Sequence, residues 1–292
     1  MNHKFKGTGV ALVTPFHADT TIDFDSLTKL VKLQISGGTD FLVVQGTTGE
    51  SPVLDQEEKM RVLKHVIDIN QKQLPIVYGV GGNNTEDVCK KIQELPTGVD
   101  GILSVSPYYN KPLQAGIVAH YKKIARCTDL PIILYNVPGR TGSNVSAATT
   151  LELAKISNIV AMKEASADLD QIMEILKNKP KDFTLLSGDD AITMPLIAMG
   201  VEGVISVVAN ALPERFSSMV SRSRNNEMYQ AKKEHFELFD MIRLLFAEGN
   251  PGGIKEALVY RKICDNHMRL PLVTVSEQLK NQIHSEMKNL LS

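Results

Sequence analysis

The stretch Ile159-Val160-Ala161-Met162-Lys163-Glu164-Ala165 reads as a buried strand with a lysine near its C-terminal end. Apolar runs of this kind exclude an ammonium unless its desolvation is compensated. The side chain either snorkels to water or gives up its charge, and a neutral amine forms a Schiff base with a carbonyl compound. Other polar residues close similar apolar runs: Thr14, Thr47 and Thr48, Tyr108 and Tyr109, Tyr135 with Arg140 just beyond it, and Gly188, Asp189 and Asp190. Each has a plain structural reading. Threonines at strand ends cap helices, paired tyrosines pack with the hydroxyl in water, a loop arginine is solvated, and Asp189-Asp190 caps the helix that follows. Together the set also suits one reaction. Lys163 would supply the amine, and Tyr135 would protonate the departing hydroxyl of the carbinolamine. Thr47 and Tyr109 would relay protons, and Arg140 would clamp a carboxylate. That chemistry is enamine formation from a 2-oxo acid, followed by making or breaking a carbon-carbon bond.

Eight apolar runs must position these groups: 9–15, 41–45, 75–80, 101–106, 131–137, 159–165, 183–188 and 203–209. They are nearly continuous rather than alternating, as strands buried on both faces require. Helical periodicity follows each, for example Leu27, Leu30, Val31 and Ile35 after the first and Met60, Leu63, Val66 and Ile67 after the second. Repeated strand-helix units predict an α/β protein, a closed (β/α)8 TIM barrel. An open doubly wound sheet is disfavoured, because Thr14-Pro15-Phe16 is no glycine-rich phosphate loop. Residues 1–222 are read as the barrel and 223–292 as a C-terminal extension of about three helices, over 226–246, 253–264 and 275–291. Barrel sites lie at the C-terminal strand ends, where the polar residues above fall.

Composition excludes other classes. Lys and Arg number 32 against 33 Asp and Glu, so neither nucleic acid nor a membrane surface is indicated as partner. Asn2-His3-Lys4-Phe5-Lys6 is polar and basic rather than a leader, and no apolar run is long enough to span a bilayer. Cys89, Cys127 and Cys264 suit neither a disulfide framework nor a CxxC site, so a reducing cytoplasm is the expected home. The histidines form no HxxxH or HxH pair, and no metal is expected.

Several motifs carry a resemblance over essentially the whole chain. They are Gly46-Thr47-Thr48-Gly49-Glu50-Ser51, Pro107-Tyr108-Tyr109-Asn110-Lys111-Pro112, Tyr135-Asn136-Val137-Pro138-Gly139-Arg140-Thr141, Lys163-Glu164-Ala165, Ser187-Gly188-Asp189-Asp190 and Gly203-Val204-Ile205-Ser206-Val207. In this order they closely resemble the dihydrodipicolinate synthase and N-acetylneuraminate lyase superfamily of class I aldolases. The resemblance implies a lyase working without added cofactor, in which Lys163 forms a Schiff base with pyruvate. Tyr135, Thr47 and Tyr109 would form the proton relay, Tyr109 reaching in from a neighbouring subunit. Thr48 would bind the pyruvate carboxylate and Arg140 that of aspartate 4-semialdehyde, while Gly188 and Ile205 would line the site through their backbones. A homotetramer, a dimer of dimers, in diaminopimelate and lysine biosynthesis is implied as well. Arg140 sets the chain apart from the neuraminate lyases, which usually lack it. A neuraminate lyase-like or other pyruvate-dependent 2-oxo acid aldolase is the alternative, and a catalytically idle barrel the reading from another class.

Two departures from the family pattern stand out. The family's feedback site for free lysine corresponds here to Ser51, Pro52, Gln56, Lys59, Asn83, Asp87 and Tyr108. Lysine-sensitive members often carry His in place of Gln56 and Lys59, and the Lys59 ammonium would repel a cationic ligand. Weak or absent inhibition by lysine is therefore expected. Gly252-Gly253 replaces a bulkier pair that often includes Pro, a change bearing on assembly more than chemistry.

Overall fold

The structure is a computed structural model and describes residues 4–292, so the polar start read at Asn2 and His3 lies outside the described residues. The chain begins with β1 (Gly7–Ala11), α1 (Phe24–Ser36), β2 (Phe41–Val44), α2 (Gln56–Asn70), β3 (Ile76–Gly79), α3 (Thr85–Gln93), β4 (Gly101–Val105) and α4 (Gln114–Ala125). It continues with β5 (Ile132–Asn136), α5 (Pro138–Thr141), α6 (Ala147–Leu153), β6 (Ile159–Glu164), α7 (Leu169–Asn178), β7 (Thr184–Ser187), α8 (Thr193–Ala198), β8 (Gly203–Ser206) and α9 (Pro213–Arg224). Beyond the barrel come α10 (Met228–Phe246), α11 (Gly252–Tyr260) and α12 (Glu277–Leu291), close to the three helices predicted. The strands pair in parallel and in order, β8 closing onto β1 through Gly7–Gly203 to Val10–Ser206, which gives the expected (β/α)8 barrel.

Strand alternation sorts the apolar residues into two cores. Ala11, Val43, Val77, Leu103, Ile133, Tyr135, Ala161, Leu186 and Ile205 fill the barrel. Their neighbours, among them Val10, Leu42, Ile76, Ile102, Leu134, Met162 and Val204, pack outward under the helices. Helix starts are fixed locally. Asp23, Asn84, Ser146, Asp168 and Ser276 accept first-turn amides, and Asp55 and Glu58 form a reciprocal capping box.

Three sequence expectations change. Predicted strand 9–15 becomes 7–11, because the chain turns away once Val13 N–H donates to the Asn210 side chain. Predicted strand 203–209 stops at Ser206, where Asp190 captures the amides of Val207 and Val208. The cysteines are not all unpaired: Cys89 in α3 and Cys127 just past α4 form a disulfide, leaving Cys264 free and buried. Their separation of 38 residues carries no pairing signal, since the contact arises only when α3 and α4 sit side by side around the barrel.

The extension is fastened to the barrel by charges. Lys255 and Glu50 are both fully buried and meet at 2.5 Å, with Lys255 also donating to His267 O at 2.7 Å. Arg269 forms a two-pronged pair with Glu58, reaches Thr20 O and Val53 O, and stacks over Phe16. The Gly252-Gly253 pair opens α11, and a Cβ on Gly253 would lie 2.5 Å from Leu245 O, so glycine lets α11 rest on the α10 backbone. Among the described residues, no helix is long and apolar enough to cross a membrane.

Removing one member of a buried ion pair strands the other charge. Lys255→Ala is expected to lower the unfolding free energy by roughly 3–5 kcal/mol, measured by urea denaturation. Glu50→Gln combined with Lys255→Met should restore most of that loss. If the double variant were no better than the single one, the pair would not be the origin of the effect.

Candidate active site

The register of β5 against β6 sets Tyr135 beside Lys163 and Asn136 beside Glu164. Ile133 and Ala161 face the barrel interior, so Tyr135 and Lys163, two residues further along each strand, also face inward. Lys163 Nζ lies 4.4 Å from the centre of the Tyr135 ring, and both side chains are buried. The ring face attracts a cation without presenting a formal negative charge. Among the described residues, no carboxylate pairs with Lys163.

Glu164 points the other way, as alternation requires. It accepts from Asn136 Nδ2 at 3.1 and 3.2 Å, Ser166 N at 2.7 Å and Gln171 Nε2 at 3.0 Å. Burial nonetheless holds its carboxyl above the ordinary range. Asn136 extends this network to Asn144 and, through its Oδ1, to Val145 N–H. The strand ends carrying Tyr135 and Lys163 are thereby pinned from behind.

At the mouth of the barrel lies a cavity of about 360 Å³, lined by residues that include Thr47, Thr48, Tyr135, Arg140, Lys163 and Gly188. Gly188 is there because of its size. A Cβ would sit 2.6 Å from Ala165 Cβ and 3.1 Å from Lys163 Cε, crowding the lysine stem. Arg140 sits on the single-turn helix α5, exposed at the rim, where the sequence suggested a loop. Thr47 is exposed, and Thr48 is buried. The loop that carries them is held by Thr14, whose hydroxyl donates to Gly49 O at 2.7 Å. Thr14 is therefore a support for the site and not part of its lining. Ile205 lies in the barrel core below, and Val207 takes its place in the lining. Tyr109 is 87% exposed, has a φ of 73°, and does not line the cavity of its own chain.

Asp189 and Asp190 divide their tasks. Asp189 caps the turn that follows, accepting from Ala191 N. Asp190 does not cap it. Instead its Oδ2 accepts from Val207 N at 2.9 Å and Val208 N at 3.1 Å, tying the end of β7 to the end of β8. Sequence reading also missed Asn250, Ile242 and Phe246, which bring the extension over the cavity. Among the described residues, no cluster of three His, Cys, Asp or Glu is placed to hold a metal.

Of the residues matched to a lysine-binding site, Asn83 meets Tyr108 and Asp87 lies near Lys59. Asn83 Nδ2 donates to Tyr108 O at 3.2 Å. Asp87 is paired with Lys91 at 2.6 Å. Lys59 is half-buried, and burial followed by the nearby Lys91 charge lowers its pKa, opposed by Asp55 and Asp87. Ser51 and Gln56 are partly exposed on the connection into α2 and on its first turn.

An amine on a barrel strand with a phenol beside it and a cation at the rim defines a class I aldolase-type enzyme, a lyase. The chain belongs to the dihydrodipicolinate synthetase family, whose profile matches residues 4–290. It is 47% identical over 287 residues to a protein of Parabacteroides distasonis named 4-hydroxy-tetrahydrodipicolinate synthase, covering 98% of this chain and 97% of that one. The crystal structure of dihydrodipicolinate synthase from Aquifex aeolicus matches with a TM-score of 0.95 at 37% identity, covering 98% of each chain. A crystal structure of the Cyanidioschyzon merolae enzyme with lysine bound matches with a TM-score of 0.93 at 37% identity, again over 98% of each chain.

Burial pushes the Asp190 carboxyl up to about 6, overriding its two backbone hydrogen bonds. Because the folded-state value lies above the unfolded one, this group stabilises the protein at low pH, and that contribution is lost as pH rises through about 6. Unfolding by urea at pH 5 and pH 7 should show the wild type losing stability between the two, relative to Asp190→Asn. Parallel behaviour of the two proteins would remove Asp190 as the source.

Proposed function

We propose that this chain condenses pyruvate with L-aspartate 4-semialdehyde, the activity carried by its relatives' name, and that Lys163 performs the covalent step. The observation that supports this reading most directly is the buried Lys163 amine over the Tyr135 ring, at the floor of a cavity rimmed by Arg140. The amine adds to the pyruvate ketone to give a carbinolamine. Tyr135, with Thr47 and a partner subunit's tyrosine equivalent to Tyr109, delivers the proton with which hydroxide leaves as water. The iminium then loses a methyl proton, and the enamine carbon attacks the aldehyde of the second substrate. Thr48 binds the pyruvate carboxylate and Arg140 that of the semialdehyde, with Gly188 shaping the wall and Ile205 supporting it from the barrel core below. Among the described residues no carboxylate pairs with Lys163, and its amine packs against the Tyr135 ring face.

The exposure of Tyr109 supports a dimer in which each chain completes the other's relay, two dimers forming a homotetramer. Residues 1–222 would act as the catalytic barrel and 223–292 as its extension, in a cytoplasmic enzyme of diaminopimelate and lysine biosynthesis. A neuraminate-type lyase is not favoured, since Arg140 suits a small acidic aldehyde.

Sodium borohydride added with pyruvate should inactivate the enzyme and leave an adduct that peptide mass spectrometry places on Lys163, while Lys163→Ala should be inactive. Absence of an adduct on that residue would falsify the covalent reading. Arg140→Ala should raise KM for aspartate 4-semialdehyde by about tenfold to a hundredfold, and N-acetylmannosamine should not replace that substrate. Lysine inhibition should be weak, because Asp87 is already neutralised by Lys91 and the Lys59 ammonium faces the same surface. Strong inhibition by submillimolar lysine in steady-state assays counts against this.

A further inference from the structure

The loop from Thr47 to Glu50 is held from outside the barrel. Asn250, between α10 and α11, donates from Nδ2 to Thr48 Oγ1 at 2.9 Å, across 202 residues of sequence. Lys255, on the first turns of α11, pairs with Glu50 at the other end of the same loop. Glu50 adopts a left-handed backbone with φ of 55°, and Arg269 N–H approaches its second oxygen at 3.4 Å. Thr14 secures Gly49 from below. Asn250 also lines the cavity, and its own Oδ1 is buried with no partner among the described residues.

The contact with Thr48 has a directional consequence. A threonine hydroxyl has one proton to give and two lone pairs. Once Asn250 donates to the oxygen, that direction is closed to the threonine's own proton. Thr48 is buried, and among the described residues no protein acceptor is placed for its hydroxyl hydrogen. The hydrogen is thus directed towards the remaining polar occupant of the site, the substrate. We infer that Asn250 is a positioning residue that orients the Thr48 hydroxyl as a donor to the carboxylate of the 2-oxo acid, so that the C-terminal extension sets affinity for the first substrate. This inference rests on the proposed binding of pyruvate carboxylate by Thr48.

A bond to the carboxylate is present in substrate and transition state alike, so its loss should appear in KM and leave kcat nearly unchanged. Asn250→Ala is expected to raise KM for pyruvate about tenfold, the worth of one hydrogen bond to a charged group, with KM for aspartate 4-semialdehyde unaltered. Asn250→Asp keeps the shape but accepts where the amide donated. It should raise KM for pyruvate further, and it carries the test if the alanine variant does not fold. Thr48→Val should raise KM for pyruvate by a similar factor, and adding Asn250→Ala to it should have no further effect. Additive effects, or a fall in kcat matching the rise in KM, would show that Asn250 merely packs the loop and would overturn the inference. An unchanged KM in Thr48→Val would instead overturn the assignment of Thr48, whatever the Asn250 variants do.

Discussion

The site depends on strand register in a closed barrel. A parallel strand offers two faces, and closure turns one of them inward for its whole length. With Tyr135 set against Lys163, both inward, the phenol and the amine are brought together by the same hydrogen bonds that hold β5 to β6. A shift of one residue would exchange Lys163 for Glu164 or Met162. The outward carboxylate of Glu164 guards against such a slip. It is buried among four donor contacts supplied by Asn136, Ser166 and Gln171, none of which could follow it to the other face. Specific register is therefore secured by a polar network that the cavity never touches.

Among the described residues two lysines are buried, Lys163 and Lys255, and they meet the cost of desolvation differently. Lys255 lies among Ile254, Ala257 and Leu258 and is matched by the carboxylate of Glu50. Its burial lowers the pKa, and the Glu50 charge pulls it back up. It joins two parts of the chain and is unsuited to nucleophilic chemistry. Both amines lie 4.4 Å from the centre of an aromatic ring, Lys255 over Phe16 and Lys163 over Tyr135, but Lys163 has no carboxylate partner among the described residues and opens onto a cavity. A lysine in an apolar run is thus an ambiguous signal, resolved only by what the fold places against it.

That contrast explains how far the sequence could be read. Apolar runs and helical periods are local, so the barrel and the three added helices were legible, as were Lys163, Tyr135 and Arg140 at or just beyond strand ends. Contacts that depend on closure were not. Asn250 and Thr48 are 202 residues apart, and the Val13 amide finds Asn210 across 197. The Cys89–Cys127 bond joins neighbouring helices whose adjacency no spacing rule reveals. Asp190 was read as a cap because Asp-rich turns before helices usually are caps. In the fold its neighbour Asp189 takes that duty, and Asp190 is drawn inward by two amides at the end of β8. Lys255 carried the same signal as Lys163 and could have been flagged by it.

The charge pattern around the cavity follows from what it is proposed to hold. Two carboxylate-bearing substrates must share about 360 Å³, so any fixed anion facing them would oppose binding. Of the carboxylates near the strand ends, Asp189 lines the cavity and is engaged by the Ala191 amide, while Glu164 lies behind the sheet, Asp190 on backbone amides and Glu50 on Lys255. Arg140 alone presents an exposed guanidinium among the lining residues, at the rim where an anion arrives before reaching the amine. The buried Lys163 at the floor and the exposed Arg140 at the entrance thus face one cavity from its two ends. With the acidic residues beside this mouth spent on backbone and loop, neither Lys163 nor Arg140 is paired to one of them among the described residues, and the substrates supply the negative charge.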